Sequence, residues 1–171
     1  EVSWRIPWPS HDVPYAGRFD RVVVDPFERL WIEDWKTAGR IDVSKLELDA
    51  QISACAWAGE QLYGKRIEGV IWTQFLKAVP TLPNMLKSGE FSLDARQKTT
   101  YGLYRAAVLN KFGSVPERYV PFLNDLAARE TPEGDAFIRR DLVYRTQYQR
   151  DMEAIKIRQE AQDMLNGPML Y

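Results

Sequence analysis

Two aspartates and a lysine lie in two neighbouring β-type runs of this chain. Asp20 belongs to the first run, Asp34 and Lys36 belong to the second, and the residues around Phe27 between them have turn composition. A hairpin centred on Phe27 places Asp20 directly opposite Asp34. Because strand side chains alternate between faces, Lys36 lies on the same face as Asp34. The pattern therefore predicts two carboxylates and an ammonium group at one end of a hairpin.

Such a pair of carboxylates favours a bound cation. Directly opposed residues of an antiparallel pair lie about 5 Å apart at Cα, so two anions repel each other there unless a cation lies between them. Mg²⁺ is suited to the position because it takes one or two carboxylates, with waters and phosphate oxygens as its other ligands. The alternative is a solvated sheet edge on which Lys36 pairs with Asp34.

The wider pattern resembles a known nuclease family. Two short motifs, Gly-x-x-Asp and Asp-x-Lys-Thr, precede a helix that carries a glutamine; the matching residues are Gly17, Asp20, Asp34, Lys36, Thr37 and Gln51. This order is similar to the PD-(D/E)XK nucleases, in the branch of RecB-like and CRISPR-associated exonucleases and their phage-encoded relatives. The resemblance implies an α/β restriction-endonuclease-like fold, with a central mixed β-sheet flanked by helices.

The resemblance also implies an activity. It predicts a metal-dependent deoxyribonuclease that hydrolyses DNA phosphodiester bonds, most similar to exonucleases of phage or bacterial DNA recombination, repair and processing. DNA, as single strands or duplex ends, is the expected partner, together with recombination or CRISPR-related proteins. The alternative is a catalytically inactive DNA-binding or assembly module of the same fold.

Roles for individual residues follow from the same resemblance. Asp20, Asp34 and the main-chain carbonyl of Trp35 are the expected ligands of Mg²⁺ or Mn²⁺. Lys36 is expected to orient or deprotonate the attacking water, or to stabilise charge on the phosphate. Gln51 is expected to position the substrate or the lysine, and its alternative is an exposed helical glutamine.

Further residues are candidates for contact with DNA phosphates. Thr37 is one, although it also suits a role in satisfying backbone groups at the strand end. Arg139 and Arg140, with Arg145, alternate with apolar residues along a predicted strand, and their alternative is a solvated sheet edge. His11 is interpreted as a loop residue.

The resemblance covers nearly the whole chain, so we expect one nuclease domain over residues 1–171. Relatives carry a metal-binding helix before Gly-x-x-Asp and a cysteine-containing segment after the last helix, which in some holds an iron–sulfur cluster or zinc. We therefore expect this sequence to be a fragment that lacks both segments. Relatives often have Tyr where Cys55 stands, and its place on an apolar helical stripe predicts a core residue.

Composition bounds these predictions. The formal net charge is −1, so DNA binding requires a local basic patch rather than a global excess of positive charge. One cysteine excludes an internal disulfide, and the absence of a long apolar run or signal peptide in these residues predicts a cytoplasmic protein without membrane contact. That the cytoplasm is that of a bacterial cell is what the resemblance implies.

The spacing of apolar residues, together with the positions of glycines, prolines and helix-capping residues, predicts the strands and helices that position these residues. Glu33 points away from Asp34, so a solvated or structural role is expected for it. Gly59 lies on the apolar stripe of a helix and would allow close packing there. The predicted strands are 2–8, 17–24, 30–37, 67–76 and 136–146, with a loop at 9–14. The predicted helices are 48–63 ended by Gly64, from a Ser92 cap to Asn110 with Gly113 just past its end, from Pro116 to about Arg129, and 147–166 ended by Gly167 and Pro168.

Overall fold

The computed structural model describes residues 1–8, 11–44 and 46–167. It is a mixed α/β structure in which a four-stranded mixed sheet, in the order β3–β4–β5–β6, is flanked by helices, and β1 and β2 form a separate two-stranded sheet. The strands are β1 Val2–Trp8, β2 His11–Phe19, β3 Arg21–Val24, β4 Leu30–Ala38, β5 Ile67–Leu76 and β6 Ile138–Tyr144. The helices are α1 Ala50–Tyr63, α2 Tyr101–Phe112, α3 Val120–Ala127 and α4 Gln147–Asn166, with 3-10 turns at Leu46–Leu48 and Glu117–Tyr119.

The hairpin of β3 and β4 has the predicted register. Val22 pairs with Ile32, and Val24 pairs with Leu30. The turn is held by the Asp25 carboxylate, which accepts hydrogen bonds from the backbone N–H groups of Phe27 and Arg29 at 2.9 and 3.0 Å. The Asp25 carboxylate thus stabilises this turn by local hydrogen bonds, whereas two-residue hairpins use a type I′ turn that favours glycine.

The chain divides into two compact units, and one nuclease domain over residues 1–171 stays a prediction. Unit 1 comprises Glu1–Trp35, Asp42–Trp72 and Asp141–Tyr171, and unit 2 comprises Lys36–Ile41 and Thr73–Arg140. Strands β4, β5 and β6 each contribute residues to both units.

The core of unit 1 lies between α1, α4 and the strands. Ile32 and Ile67 of the sheet and Ile52 of α1 are fully buried in one hydrophobic cluster. A Cβ at Gly59 would lie 2.9 Å from Ile67 Cγ1 and 3.1 Å from Ile32 Cδ1, so the absence of a side chain lets the helix pack directly on the sheet. The predicted close packing at Gly59 is confirmed.

The predicted loop at 9–14 is wrong for residues 11–14, which belong to β2; Pro9 and Ser10 lie outside the described residues. Prolines are tolerated at sheet edges and at bulges, and this two-stranded sheet has a register shift between Ile6 and Trp8. His11 is therefore a strand residue that pairs with Trp8 in the backbone register, rather than a loop residue.

The glycine of the Gly-x-x-Asp motif has a packing role in the same sheet. Gly17 pairs with Trp4, and a Cβ at position 17 would lie 2.5 Å from the Trp4 indole. The indole therefore covers the glycine directly, as aromatic residues do for strand glycines elsewhere.

Unit 2 has its own core, in which aromatic rings from α2, α3 and the segments before them pack together. Tyr104 and Phe122 lie 4.8 Å apart between ring centroids, and both are buried. The predicted Ser92 cap is wrong: Thr100 caps α2 by accepting a hydrogen bond from Leu103 N–H at 3.2 Å. Both residue types cap helices well, and local sequence alone does not choose between them.

The strand predicted at 17–24 is wrong as a single element, because residues 17–19 belong to β2 and β3 begins at Arg21. The remaining ends agree with the predictions to within a few residues. Gly64 and Gly113 end α1 and α2 with φ of 59° and 74°, the left-handed conformation that glycine adopts most easily. The helix predicted to start at Pro116 begins instead as a 3-10 turn and continues as α3 only to Ala127. Strand β6 is shorter at both ends than 136–146, and Pro168 lies outside the described residues.

The longest helix, α4, starts at a capping box between Thr146 and Gln149. In the described part of the chain, no helix has both the length and the apolar character needed to cross a bilayer.

Candidate active site

Asp20 lies immediately before β3, one step beyond the Arg21–Glu33 pair of the hairpin. The same register, continued by one residue, brings it opposite Asp34. Its Oδ2 accepts a hydrogen bond from the backbone N–H of Trp35 at 2.6 Å. The carboxylate of Asp20 is thus fixed beside the peptide bond that joins Asp34 to Trp35.

Asp34 is buried in β4, with 6% of its surface exposed. Its Oδ1 accepts a hydrogen bond from Gln51 Nε2 at 3.2 Å. Gln51 lies in the first turn of α1, where the cap residue Asp49 accepts from Gln51 N–H at 2.8 Å. The helix start therefore brings the glutamine amide to the second aspartate. Gln51 is an exposed helical residue, as the alternative expected, and it makes this contact nevertheless.

A buried arginine holds the start of α1 in place. Arg145, 3% exposed, donates to the carbonyls of Leu46 and Asp49 at 2.6 and 3.2 Å and to Ser53 Oγ at 2.9 Å. Both readings of Arg145, as a solvated edge residue and as a phosphate contact, are wrong because its guanidinium is occupied inside unit 1. Burial lowers the pKa of this guanidinium, and the charges of Glu47 and Asp49 act in the opposite direction.

A second buried arginine acts at the other end of the same helix. Arg150, at the start of α4, pairs with Glu60 of α1 and donates to the Arg145 carbonyl at 2.9 Å. Glu60 also accepts from Ile67 N–H at the start of β5, at 3.3 Å. The two arginines together fix α1, and hence Gln51, relative to the strands of unit 1.

Sequence reasoning did not assign these two arginines to a structural role. The signal that was present is their position at a strand-to-helix junction, where Arg145 directly precedes the helix cap Thr146. Nothing in the local sequence indicates which distant carbonyls they reach.

Lys36 and Thr37 continue β4 beyond Asp34. Strand alternation places Lys36 on the Asp34 face; its side chain is half-buried, whereas Thr37 is exposed. Lys36 and Thr37 are the first two residues of unit 2. Glu33, on the opposite face, is fully buried and forms a 2.5 Å ion pair with Arg21. Of the two roles expected for Glu33, the solvated one is wrong and the structural one is confirmed.

The other candidates lie elsewhere on the chain. Arg139 and Arg140 belong to β6 and to unit 2, where Arg140 Nε donates to Thr73 Oγ1 at 3.3 Å. Cys55 of α1 is half-buried and packs against the core of unit 1, as its place on the apolar stripe predicted.

The donor set of the site suits a hard divalent cation. Among residues 1–8, 11–44 and 46–167, no group of three or more His, Cys, Asp or Glu side chains forms a metal cage. Mg²⁺ does not need one, because one or two carboxylates with waters and phosphate oxygens suffice. A carboxylate has about four lone-pair sites, so the hydrogen bond from Trp35 leaves Asp20 able to ligate.

Comparisons with known proteins leave the site to be judged on this geometry. No protein-family model, curated protein or solved structure matches the chain.

Proposed function

We propose that this chain is a metal-dependent deoxyribonuclease with a restriction-endonuclease-like fold, similar in its motifs to RecB-like and CRISPR-associated exonucleases. The observation that carries the proposal is the meeting of three motif residues from separate elements. Asp20 bonds to the Asp34–Trp35 peptide, and Gln51 bonds to Asp34. At a merely solvated hairpin end, water would hydrate the carboxylates, and no hydrogen bond from a glutamine at a helix start would be expected.

Asp20, Asp34 and the Trp35 carbonyl are the groups that would hold Mg²⁺ or Mn²⁺. When bound, such an ion supplies a Lewis acid for the phosphate and lowers the pKa of its water. Hard oxygen donors favour these cations over softer metals. The proposal therefore assigns cation binding to the end of the hairpin in unit 1.

The protein groups around the carboxylates have positioning roles. The Trp35 N–H orients Asp20, and the Gln51 amide orients Asp34, each by a hydrogen bond that restricts carboxylate rotation. Lys36, two residues beyond Asp34 on β4, supplies positive charge for the phosphate or orients the attacking water. DNA as single strands or duplex ends is the proposed substrate.

Digestion of labelled DNA with Mg²⁺ or Mn²⁺, with and without excess chelator, tests the proposal. We expect Asp20→Asn and Asp34→Asn each to lower the cleavage rate by about 100-fold or more. Gln51→Ala is expected to lower it by about 10-fold, the usual effect of losing a group that orients a ligand. Asp151→Asn, the same change at an exposed carboxylate of α4, is the matched control and should cleave at the parent rate.

Undiminished cleavage in chelator, or in both aspartate variants, would exclude this mechanism. A folded protein that binds DNA but never cleaves it would instead support the inactive DNA-binding or assembly module.

A further inference from the structure

Unit 2 contains a small cavity that the proposed active site does not use. Its volume is about 130 Å³, and its apolar walls include Leu76, Leu126 and Phe137. An engineered protein cavity of about 150 Å³ accepts one benzene molecule, so a single aromatic ring is the largest group that fits here. The cavity therefore has room for one ring, and the rest of a larger ligand would lie at its mouth.

Two cations lie at this cavity. Lys98 and Arg129 both line it. The main chain of Lys98 is held in place by Thr81, whose N–H and hydroxyl donate to the Lys98 carbonyl at 2.6 and 2.9 Å. Arg129 uses one guanidinium nitrogen to donate to the Ala95 carbonyl at 3.2 Å, which orients the side chain. Hydrogen bonds therefore hold the main chain of Lys98 and the side chain of Arg129 in place beside the cavity.

The N-terminus of α2 lies at the same place. Thr100, its cap, and Tyr101, its first residue, both line the cavity. The partial positive charge of a helix N-terminus favours an anion, most of all a phosphate. The helix and the two cations therefore favour the same sign of ligand charge.

Thr99 supplies an independent observation. It lines the cavity, is 5% exposed, and its hydroxyl has no hydrogen-bond partner among the described residues. A buried hydroxyl without a partner is unfavourable, so native structures rarely keep one unless something binds it. A ligand with a polar group on its ring would satisfy it.

The net positive charge of unit 2 also favours a negatively charged ligand. Unit 2 has twelve Lys and Arg against seven Asp and Glu, whereas unit 1 has eleven against seventeen. Two of the acids, Glu130 and Asp135, line the cavity and oppose a bound anion. Asp135 Oδ1 accepts from the N–H groups of Phe137 and Ile138, which holds that carboxylate in place without removing its charge, so Glu130 is the acid whose removal is tested.

We infer that this cavity binds a nucleotide, with a pyrimidine-sized ring between the apolar walls and its phosphate at Lys98, Arg129 and the start of α2. The choice of a nucleotide among compounds that join a ring to an anion rests on the proposed nuclease function. The ligand is either one residue of a DNA strand or a free mononucleotide, and the two share this chemistry.

Calorimetric titration of the whole chain in excess chelator tests the site, with thymidine 5′-monophosphate, thymidine, inorganic phosphate and a four-residue oligothymidylate as probes. We expect the monophosphate to bind more tightly than thymidine or phosphate alone. Lys98→Ala and Arg129→Ala should each weaken its binding about 10-fold, and Glu130→Gln should strengthen it. Lys87→Ala, an exposed lysine of unit 2 away from the cavity, is the control.

Thr99→Val distinguishes a binding role from a structural one. It removes the hydroxyl and keeps the shape, so it should weaken nucleotide binding while leaving the unliganded protein as stable as before or more so. If the oligonucleotide shows the same pattern of variants as the monophosphate, the ligand is a DNA strand; if only the monophosphate shows it, the ligand is free nucleotide.

The inference is overturned if the monophosphate gives no saturable binding, or if Lys98→Ala and Arg129→Ala bind it like Lys87→Ala. Chelator makes this readout independent of cleavage. Loss of the proposed nuclease activity would therefore leave the nucleotide site standing, and loss of the site would leave the activity standing.

Discussion

The two units of this protein use charge in opposite ways. Unit 1 carries an excess of acids and buries several of its ionic groups, among them Glu33, Arg145 and Arg150. Unit 2 carries an excess of bases, and Lys77, Lys87, Lys98 and Arg105 are all exposed there. The net charge of −1 is the sum of these two unequal parts, so it conceals a basic unit.

A charged side chain has a different role when it is buried than when water solvates it. A buried guanidinium must find carbonyls or carboxylates inside the protein, and Arg145 and Arg150 do so. An exposed lysine adds little to stability but attracts a polyanion over about a Debye length. The buried arginines of unit 1 are therefore expected to matter for folding, and exposed cations of unit 2 for binding.

The largest expected effect comes from Arg145→Met. The change leaves the carbonyls of Leu46 and Asp49 buried without their donor, so the free energy of unfolding should fall by about 3 kcal/mol or more. Arg105→Met, at an exposed helical arginine of unit 2, should change it by less than about 0.5 kcal/mol. Urea denaturation followed by tryptophan fluorescence measures both, and equal losses would break the comparison.

Lys36→Ala tests an intermediate case, because Lys36 is a half-buried cation proposed to act in chemistry rather than in folding. We expect DNA cleavage to fall by about 100-fold or more while the denaturation midpoint stays near that of the parent. Lys65→Ala, at an exposed lysine after α1, is the control for loss of a positive charge. Cleavage at the parent rate by the Lys36 variant would remove Lys36 from the proposed mechanism.

The smallest effects are expected at two glycines, where substitution by alanine should change the stability of the protein in opposite directions. A Cβ at Gly69 of β5 would lie 2.6 Å from the Val143 carbonyl oxygen, so Gly69→Ala should destabilise the protein by about 1–3 kcal/mol. Apart from its chain neighbours and the nearby backbone of α2, no atom of the described residues lies within 4 Å of a Cβ at Gly102, so Gly102→Ala should stabilise the protein by about 0.5 kcal/mol. Thermal unfolding of both variants tests the pair; stabilisation by Gly69→Ala would contradict the packing of β5 against β6.

Local features of the fold were predictable from the sequence. The register of β3 and β4 follows from two β-type runs around a short turn, and β5 was predicted with its observed bounds at Ile67 and Leu76. Gly64 and Gly113 were correct helix ends. Each of these depends on residues within one turn or one strand pair, where steric and hydrogen-bond preferences act directly.

The candidate site was predictable in part. Asp20, Asp34 and Gln51 were chosen by motif order, and the structure brings them into one hydrogen-bonded group. The strand at residues 11–14 and the Thr100 cap were missed because prolines and two good cap residues leave the local signal divided.

The alternation of strands and helices, the hairpin register and the order of the motif residues depend on residues close in the chain, so they can be predicted from the sequence. The burial of particular cations, the segment that a helix start contacts and the division of charge between two units depend on long-range packing, so they are known only from the folded structure. Arg145 and Leu46 are separated by 99 residues, and a hydrogen bond over that distance exists only once the intervening strands and helices have packed.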